Sequence, residues 1–198
     1  ADARRYRAQH TRNRRIPDGR TVVDGGTNLD YRMNTVTHPD AETSIIATIA
    51  LRDEAATTRL GSALAGALRQ GDIIALEGAL GMGKTVFARG LVRRLCGCDT
   101  VVASPTFTLV QVYDTPDFPL WHCDLYRIAS DEDAFEIGLG EAFTEAATLI
   151  EWPERLESLL PPHHLRLKFI REEADGSRIA ELRGDQDWSR RLKGISLD

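Results

Sequence analysis

From Ser44 onward, short apolar runs alternate with amphipathic stretches, and their periods separate strands from helices. Ser44-Ile45-Ile46-Ala47-Thr48-Ile49-Ala50 is rich in β-branched residues and predicts a strand. Ala56, Leu60, Leu64 and Leu68 then recur every four positions, which aligns them on one helical face; Asp53 is placed to cap that helix and Gly71 to end it. Ile73-Ile74-Ala75-Leu76 is apolar at every position, as a strand covered on both faces must be. A glycine-rich turn follows. Thr85 to Cys96 then gathers Val86, Phe87, Leu91 and Leu95 on one side, with Arg89, Arg93 and Arg94 elsewhere, so a second helix is expected.

Beyond it, Thr106 to Tyr113 and Pro119 to Cys123 read as strands joined by a proline-containing turn, Asp114 to Phe118. Ser130 with Asp133 resembles a capping box opening a short helix. Ala147 to Ile150 is another strand of the buried type, Pro153 to Leu159 a short helix with proline in its first turn, and Leu160-Pro161-Pro162 a stop. Leu165 to Phe169 alternates with period two and pairs with Ile179 to Leu182 across Asp175-Gly176, which predicts an edge hairpin. Strands and helices intermix without an internal repeat. The pattern predicts a three-layer α/β domain with a mixed, largely parallel central sheet.

Residues 1–37 do not join this pattern. They hold few apolar residues, five arginines in the first 14 positions (Arg4, Arg5, Arg7, Arg12, Arg14), and the breakers Pro17-Asp18-Gly19 and Gly25-Gly26, so a disordered Arg-rich leader is expected there, with the folded domain over residues 38–198. The leader carries 8 Arg against 4 Asp, leaving 17 basic against 26 acidic residues in the body. A body this acidic has no broad field to attract phosphate backbones, which disfavours a stand-alone nucleic-acid binder. The 198 residues, 42% of them hydrophobic, contain no apolar run of spanning length and no secretory leader pattern, so a cytoplasmic protein without membrane contact is expected. Cys96, Cys98 and Cys123 are too few and too unevenly spaced for a disulfide framework or a four-ligand zinc site, and read as reduced thiols.

The turn after the second apolar strand is Gly78-Ala79-Leu80-Gly81-Met82-Gly83-Lys84-Thr85, which satisfies G-x-x-x-x-G-K-[ST] between a buried strand and an amphipathic helix. Glycines let consecutive backbone N–H groups approach phosphate oxygens without a Cβ in the way, and the helix N-terminus adds a positive dipole end. Lys84 is expected to reach the β- and γ-phosphates, and Thr85 to offer its hydroxyl to Mg²⁺. The expected nucleotide contacts are Gly78, Leu80, Gly81, Met82, Gly83, Lys84, Thr85 and Val86 of this segment.

A magnesium nucleotide site also needs a carboxylate at the end of a buried strand. Asp124 follows Leu120-Trp121-His122-Cys123 and Glu151 follows Leu149-Ile150; spacing alone does not divide the roles between them. Asn occurs only at Asn13, Asn28 and Asn34, all before the loop, so no Asn-Lys-x-Asp guanine-reading motif follows it, and a Ras-type GTPase is disfavoured.

Four strings occur in order around this loop: Gly78 to Thr85, Ser104-Pro105-Thr106-Phe107-Thr108-Leu109-Val110, His122-Cys123-Asp124-Leu125-Tyr126-Arg127, and Glu151-Trp152-Pro153. Together they resemble the TsaE family, the small ATPase of the bacterial machinery that makes threonylcarbamoyladenosine in tRNA, over about Glu54 to Arg183. The loop departs from the family at Ala79, usually Asp, and at Met82, usually Ala. The resemblance implies a P-loop ATPase using ATP and Mg²⁺, with Thr85 and Glu151 as the protein ligands of the metal, Lys84, Asp124 and Glu151 as the catalytic set, and TsaD and TsaB as partners, tRNA being met only indirectly. It implies further that Ser104-Pro105-Thr106 forms a switch in which Pro105 stiffens the turn and the hydroxyls of Ser104 and Thr106 sense whether a γ-phosphate is present, with Thr106 at the nucleotide, and that Glu54 to Thr57 and Arg178 flank the adenine. His122 is expected to orient Asp124. The alternatives are a small-molecule or nucleotide kinase built on the same loop, and an adaptor gated by bound nucleotide.

Overall fold

The computed structural model describes residues 43–156, 159–172 and 177–197. The expected leader, residues 1–37, and the Asp175-Gly176 turn lie outside them. Strand β1 (Ser44–Leu51) leads to helix α1 (Glu54–Ala65), strand β2 (Ile73–Glu77) and helix α2 (Lys84–Cys96). Strands β3 (Val110–Asp114) and β4 (Pro119–Asp124) precede two short helices, α3 (Asp131–Glu136) and α4 (Leu139–Glu145), then β5 (Ala147–Glu151) and a 3₁₀ turn (Pro153–Leu156). Strands β6 (Leu165–Arg171) and β7 (Arg178–Gly184) and helix α5 (Gln186–Leu192) complete the order.

The seven strands form one sheet in the order β1-β7-β6-β2-β5-β4-β3. β6, β2, β5 and β4 run parallel, and an antiparallel strand or pair closes each flank, so the fold is the expected α/β arrangement with a mixed, largely parallel sheet. β2 lies between β5 and β6, covered on both faces, which explains its unbroken apolar run: Ile73, Ile74, Ala75 and Leu76 are all buried. Ile74, Leu76, Leu149, Leu165 and Leu167 pack toward α1 and α2, with Trp188 of α5 on the same side. Ile73, Ile150, Trp121 and Cys123 pack on the other face against Ala134, Leu139 and Ala142 of α3 and α4.

α1 and α2 approach closely because each carries a glycine at the crossing. A Cβ on Gly61 would lie 2.2 Å from the carbonyl oxygen of Phe87, and one on Gly90 2.2 Å from that of Thr58. Asp53 caps α1 as expected, accepting from the N–H of Ala56 at 2.6 Å, and Ser130 and Asp133 form a reciprocal capping box at α3.

Two boundaries and the place of one hairpin differ from expectation, and where a helix from Pro153 to Leu159 is expected the described residues form the 3₁₀ turn Pro153–Leu156. α1 stops at Gly66, not Gly71, although Leu68 remains buried in the connection. β3 begins only at Val110, because Leu109 adopts φ +64° and turns the chain out of the Ser104–Thr108 segment. The β6–β7 hairpin is internal to the sheet: β2 flanks one side and β1 the other, and β1 is the edge. Cys96, Cys98 and Cys123 are free, and burial pushes the thiols of Cys96 and Cys123 above their ordinary pKa. Among the described residues no helix is long and apolar enough to cross a membrane.

Candidate functional site

The site lies where the parallel strands end. Side chains alternate across a strand, so His122 and Asp124 of β4 share one face, and the β4–β5 register sets Asp124 opposite Glu151 and His122 opposite Leu149. That face is the one under α2, whose first turn carries Lys84 and Thr85. Two carboxylates, an ammonium and a hydroxyl therefore converge at the mouth of β2 without any long side chain having to reach across the domain.

The loop between β2 and α2 has the backbone the motif requires. Gly78, Gly81 and Gly83 have φ of +133°, +77° and +110°, left-handed conformations that a Cβ would strain. Two of them are also crowded: a Cβ on Gly78 would come within 2.9 Å of the carbonyl oxygen of Phe169, and one on Gly83 within 3.3 Å of Thr57 Cγ2. Among the described residues nothing lies within 4 Å of a Cβ on Gly81, so the loop is open on that side. Gly83 is the N-cap of α2 and offers no side chain to the first N–H groups of the helix, which leaves those donors for an anion. Leu80 projects outward at 89% exposure, while Met82 is buried against the core and Val86 is half-buried.

Lys84 is buried, and its Nζ donates to the carbonyls of Gly78 at 2.6 Å and Ala79 at 3.1 Å. The same ammonium lies 4.0 Å from the centroid of the Trp152 ring. Burial pulls its pKa below the ordinary lysine value, against the opposing fields of Glu151, Glu154 and Asp124. An anion entering the loop therefore meets a desolvated cation already aimed at the rim.

Thr85 Oγ1 donates to Glu151 Oε1 at 2.8 Å, and His122 Nε2 contacts the same oxygen at 2.9 Å. His122 thus serves Glu151 rather than Asp124, the expected partner, reaching diagonally across the β4–β5 pair, while Asp124 takes its donors from Thr106 and Tyr126. Asp124 is held separately: Thr106 Oγ1 donates to its Oδ2 at 2.8 Å and the N–H of Tyr126 to its Oδ1 at 3.0 Å. Since the single hydroxyl proton of Thr106 goes to the carboxylate, Ser104 is the donor in its 2.7 Å contact with Thr106, and the three groups form a directed chain ending on Asp124. Leu109, in its left-handed conformation, accepts from the N–H of Asp124 at 2.9 Å and so ties this turn to β4.

Among the described residues no three His, Cys, Asp or Glu side chains gather to hold a metal by themselves. A hydroxyl beside one carboxylate instead suits Mg²⁺, which takes one or two protein oxygens and completes its shell with phosphate and water. Thr85 and Glu151 could hold such an ion.

A family model described as threonylcarbamoyl adenosine biosynthesis protein TsaE matches residues 51–180, a span that includes every group named above. The chain belongs to the TsaE family. A protein of Rickettsia bellii named tRNA threonylcarbamoyladenosine biosynthesis protein TsaE is 46% identical over 111 residues, which cover 56% of this chain and 77% of that protein. The TsaE of Treponema pallidum is 42% identical over 123 residues, covering 62% of this chain and 89% of its own length. A crystal structure of Bacillus subtilis YdiB superposes with a TM-score of 0.62 at 27% identity, over 76% of this chain and 92% of that one.

The residues that the TsaE resemblance placed at the adenine fall in different environments. Thr57 is fully buried beneath Gly83, with its hydroxyl on the carbonyl of Asp53 at 3.2 Å, whereas Glu54 faces outward and pairs with Arg89 at 3.8 Å. Arg178 of β7 brings its Nη1 to 3.8 Å from the Cβ position of Gly83, which sets the guanidinium beside the loop. Not legible in the sequence was the ring contact at Trp152, which has φ +62° and whose ring lies 5.0 Å from that of Tyr126 at an interplanar angle of 54°. The Glu-Trp-Pro string gave no local signal for it, since a following proline favours extended backbone and Trp152 is left-handed.

Proposed function

We propose that this chain is the Mg²⁺-dependent ATP-binding and hydrolysing subunit of the bacterial machinery that installs N6-threonylcarbamoyladenosine at position 37 of tRNA, with hydrolysis coupled to turnover of a TsaD/TsaB complex. Membership of the TsaE family supports the pathway. The hydrogen bond from Thr85, in the first turn of α2, to Glu151, at the end of β5, is the observation that carries the chemistry.

The N–H groups at the start of α2 and of the glycine loop bind phosphate oxygens, and Lys84 neutralises charge on the transferring phosphoryl group. Mg²⁺, when bound through Thr85 and Glu151, supplies further positive charge at the phosphates. Asp124, fixed by Thr106 and the N–H of Tyr126, orients the attacking water. Trp152 and Tyr126 wall the ammonium on one side and limit water there. The acidic body leaves tRNA contact to the partners.

Phosphate release from ATP, measured with TsaD, TsaB and tRNA present, tests the reading. Lys84→Ala and Glu151→Ala are each expected to lower the rate by roughly 100-fold or more. Wild-type turnover in either variant removes the site assignment, and phosphate appearing on an acceptor instead of free in solution replaces the ATPase with a kinase.

A further inference from the structure

Among the described residues His122 is the one fully buried imidazole, and nothing in the chemistry above uses it. Its Nε2 lies 2.9 Å from Glu151 Oε1. A carboxylate oxygen only accepts, so the proton of this contact is on Nε2. The other ring nitrogen, Nδ1, is buried with no hydrogen-bond partner among the described residues. A buried, unpaired polar atom costs stability, and a leucine in this position would fill similar space without that cost. What the imidazole alone contributes is the N–H on Glu151.

The geometry of that carboxylate shows what the N–H does. Thr85 Oγ1 and His122 Nε2, from α2 and β4, both donate to Oε1, and no hydrogen bond to Oε2 is present among the described residues. Two donors from different elements on one oxygen fix the plane of the group and leave its second oxygen without a hydrogen-bond partner among the described residues, available to a cation. With His122 removed, Thr85 remains the single anchor, and a glutamate side chain held at one point can rotate about its terminal torsions.

We propose that His122 is a positioning residue that locks the Glu151 carboxylate in the orientation in which it receives a divalent cation with the nucleotide, through Nε2 and not through packing. The inference rests on the functional reading above. Partners that orient a ligating side chain typically contribute 10- to 100-fold to metal affinity.

The test uses the full chain, a non-hydrolysable ATP analogue at saturation, and Mn²⁺ as the probe, with free Mn²⁺ followed by electron paramagnetic resonance. His122→Leu is expected to raise the Mn²⁺ concentration for half-saturation at least tenfold, while the affinity for the analogue in EDTA changes less than twofold. His122→Gln, whose amide N–H extends to about the reach of Nε2, is expected to return to within about threefold of wild type, and His122→Asn, whose amide is one methylene shorter, is not. Wild-type Mn²⁺ binding in His122→Leu overturns the proposal. So does an equal loss of analogue affinity without metal, which would mark a packing role. If His122→Leu does not fold, equal Mn²⁺ affinity in the Gln and Asn variants overturns it, and a tenfold gap between them sustains it. A wild-type chain that binds the analogue but takes up no Mn²⁺ with it overturns the functional reading itself, an outcome visible before any variant is made.

Discussion

The ammonium of Lys84 stands 4.0 Å from the centre of the Trp152 ring while it hydrogen-bonds two carbonyls of its own loop. A phosphate in the loop competes for the same ammonium, so the ring loses or changes its cation when nucleotide arrives. Tryptophan emission is therefore expected to shift on titration with magnesium ATP. The chain has 3 Trp, and Trp121 and Trp188 are buried in the two cores away from the loop, so Trp152→Phe is expected to abolish the change. A signal that persists in Trp152→Phe would disprove the link.

The chain from Ser104 through Thr106 to Asp124 makes a graded prediction. Thr106→Val keeps the shape but removes the direct donor to a carboxylate, a bond worth roughly 1.5–3 kcal/mol, and is expected to slow hydrolysis about tenfold or more with little change in nucleotide affinity. Ser104→Ala acts only through Thr106 and is expected to cost less. Steady-state kinetics with both variants would reject the chain if Ser104→Ala proved the more damaging.

Gly61 and Gly90 set how closely α1 can lie on α2. Each Cβ would fall 2.2 Å from a backbone oxygen, which no side-chain rotation relieves. Gly61→Ala and Gly90→Ala are each expected to destabilise the domain by about 1–3 kcal/mol in urea unfolding, although alanine is the better helix former. A stabilised Gly90→Ala protein would show that the helices can part without penalty.

Asp185 links stability to pH. Burial alone would raise its carboxyl, but the N–H of Trp188, the His163 ring and the N–H of Asp187 more than offset this and hold it below its ordinary value of 3.8. The native state then binds fewer protons than the unfolded chain in acid, so the stabilisation is complete above pH 3.8 and is lost as pH falls through the lower native value. Asp185→Ala removes the cap of α5 and is expected to cost about 1 kcal/mol at neutral pH, with the difference from wild type shrinking below pH 3.8. A difference that stayed constant down to pH 2 would assign the effect to packing of α5.

Most of the scaffold was legible in the sequence because its signals are local. The apolar run of β2, the Asp53 cap, the Ser130–Asp133 box and the glycines of the loop each declare themselves within a few residues. α5 was not anticipated: seven residues with Trp188 and Leu192 as their buried positions make too short a period, and the helix is held by Arg191, which donates to Asp72 across the domain. The place of the β6–β7 hairpin was missed for a similar reason, since alternation shows which residues face inward but not which strand lies alongside. At the site, the residue types of Lys84, Thr85, Asp124 and Glu151 were legible, and the pairing of His122 with Glu151 was not. That pairing follows from the β4–β5 register, a long-range quantity.

The position of β2 has one more consequence, for how the protein is made. Its neighbours in the sheet are β5 and β6, where Ile74 pairs with Leu149 and Leu165, and the floor under Gly78 and the wall beside Gly83 come from Phe169 and Arg178. A nascent chain leaving the ribosome thus exposes an early apolar strand and an unfinished loop until translation has passed β7, a window in which chaperones and proteases compete with folding. Nucleotide cannot be gripped before that point, so binding competence arrives late and all at once.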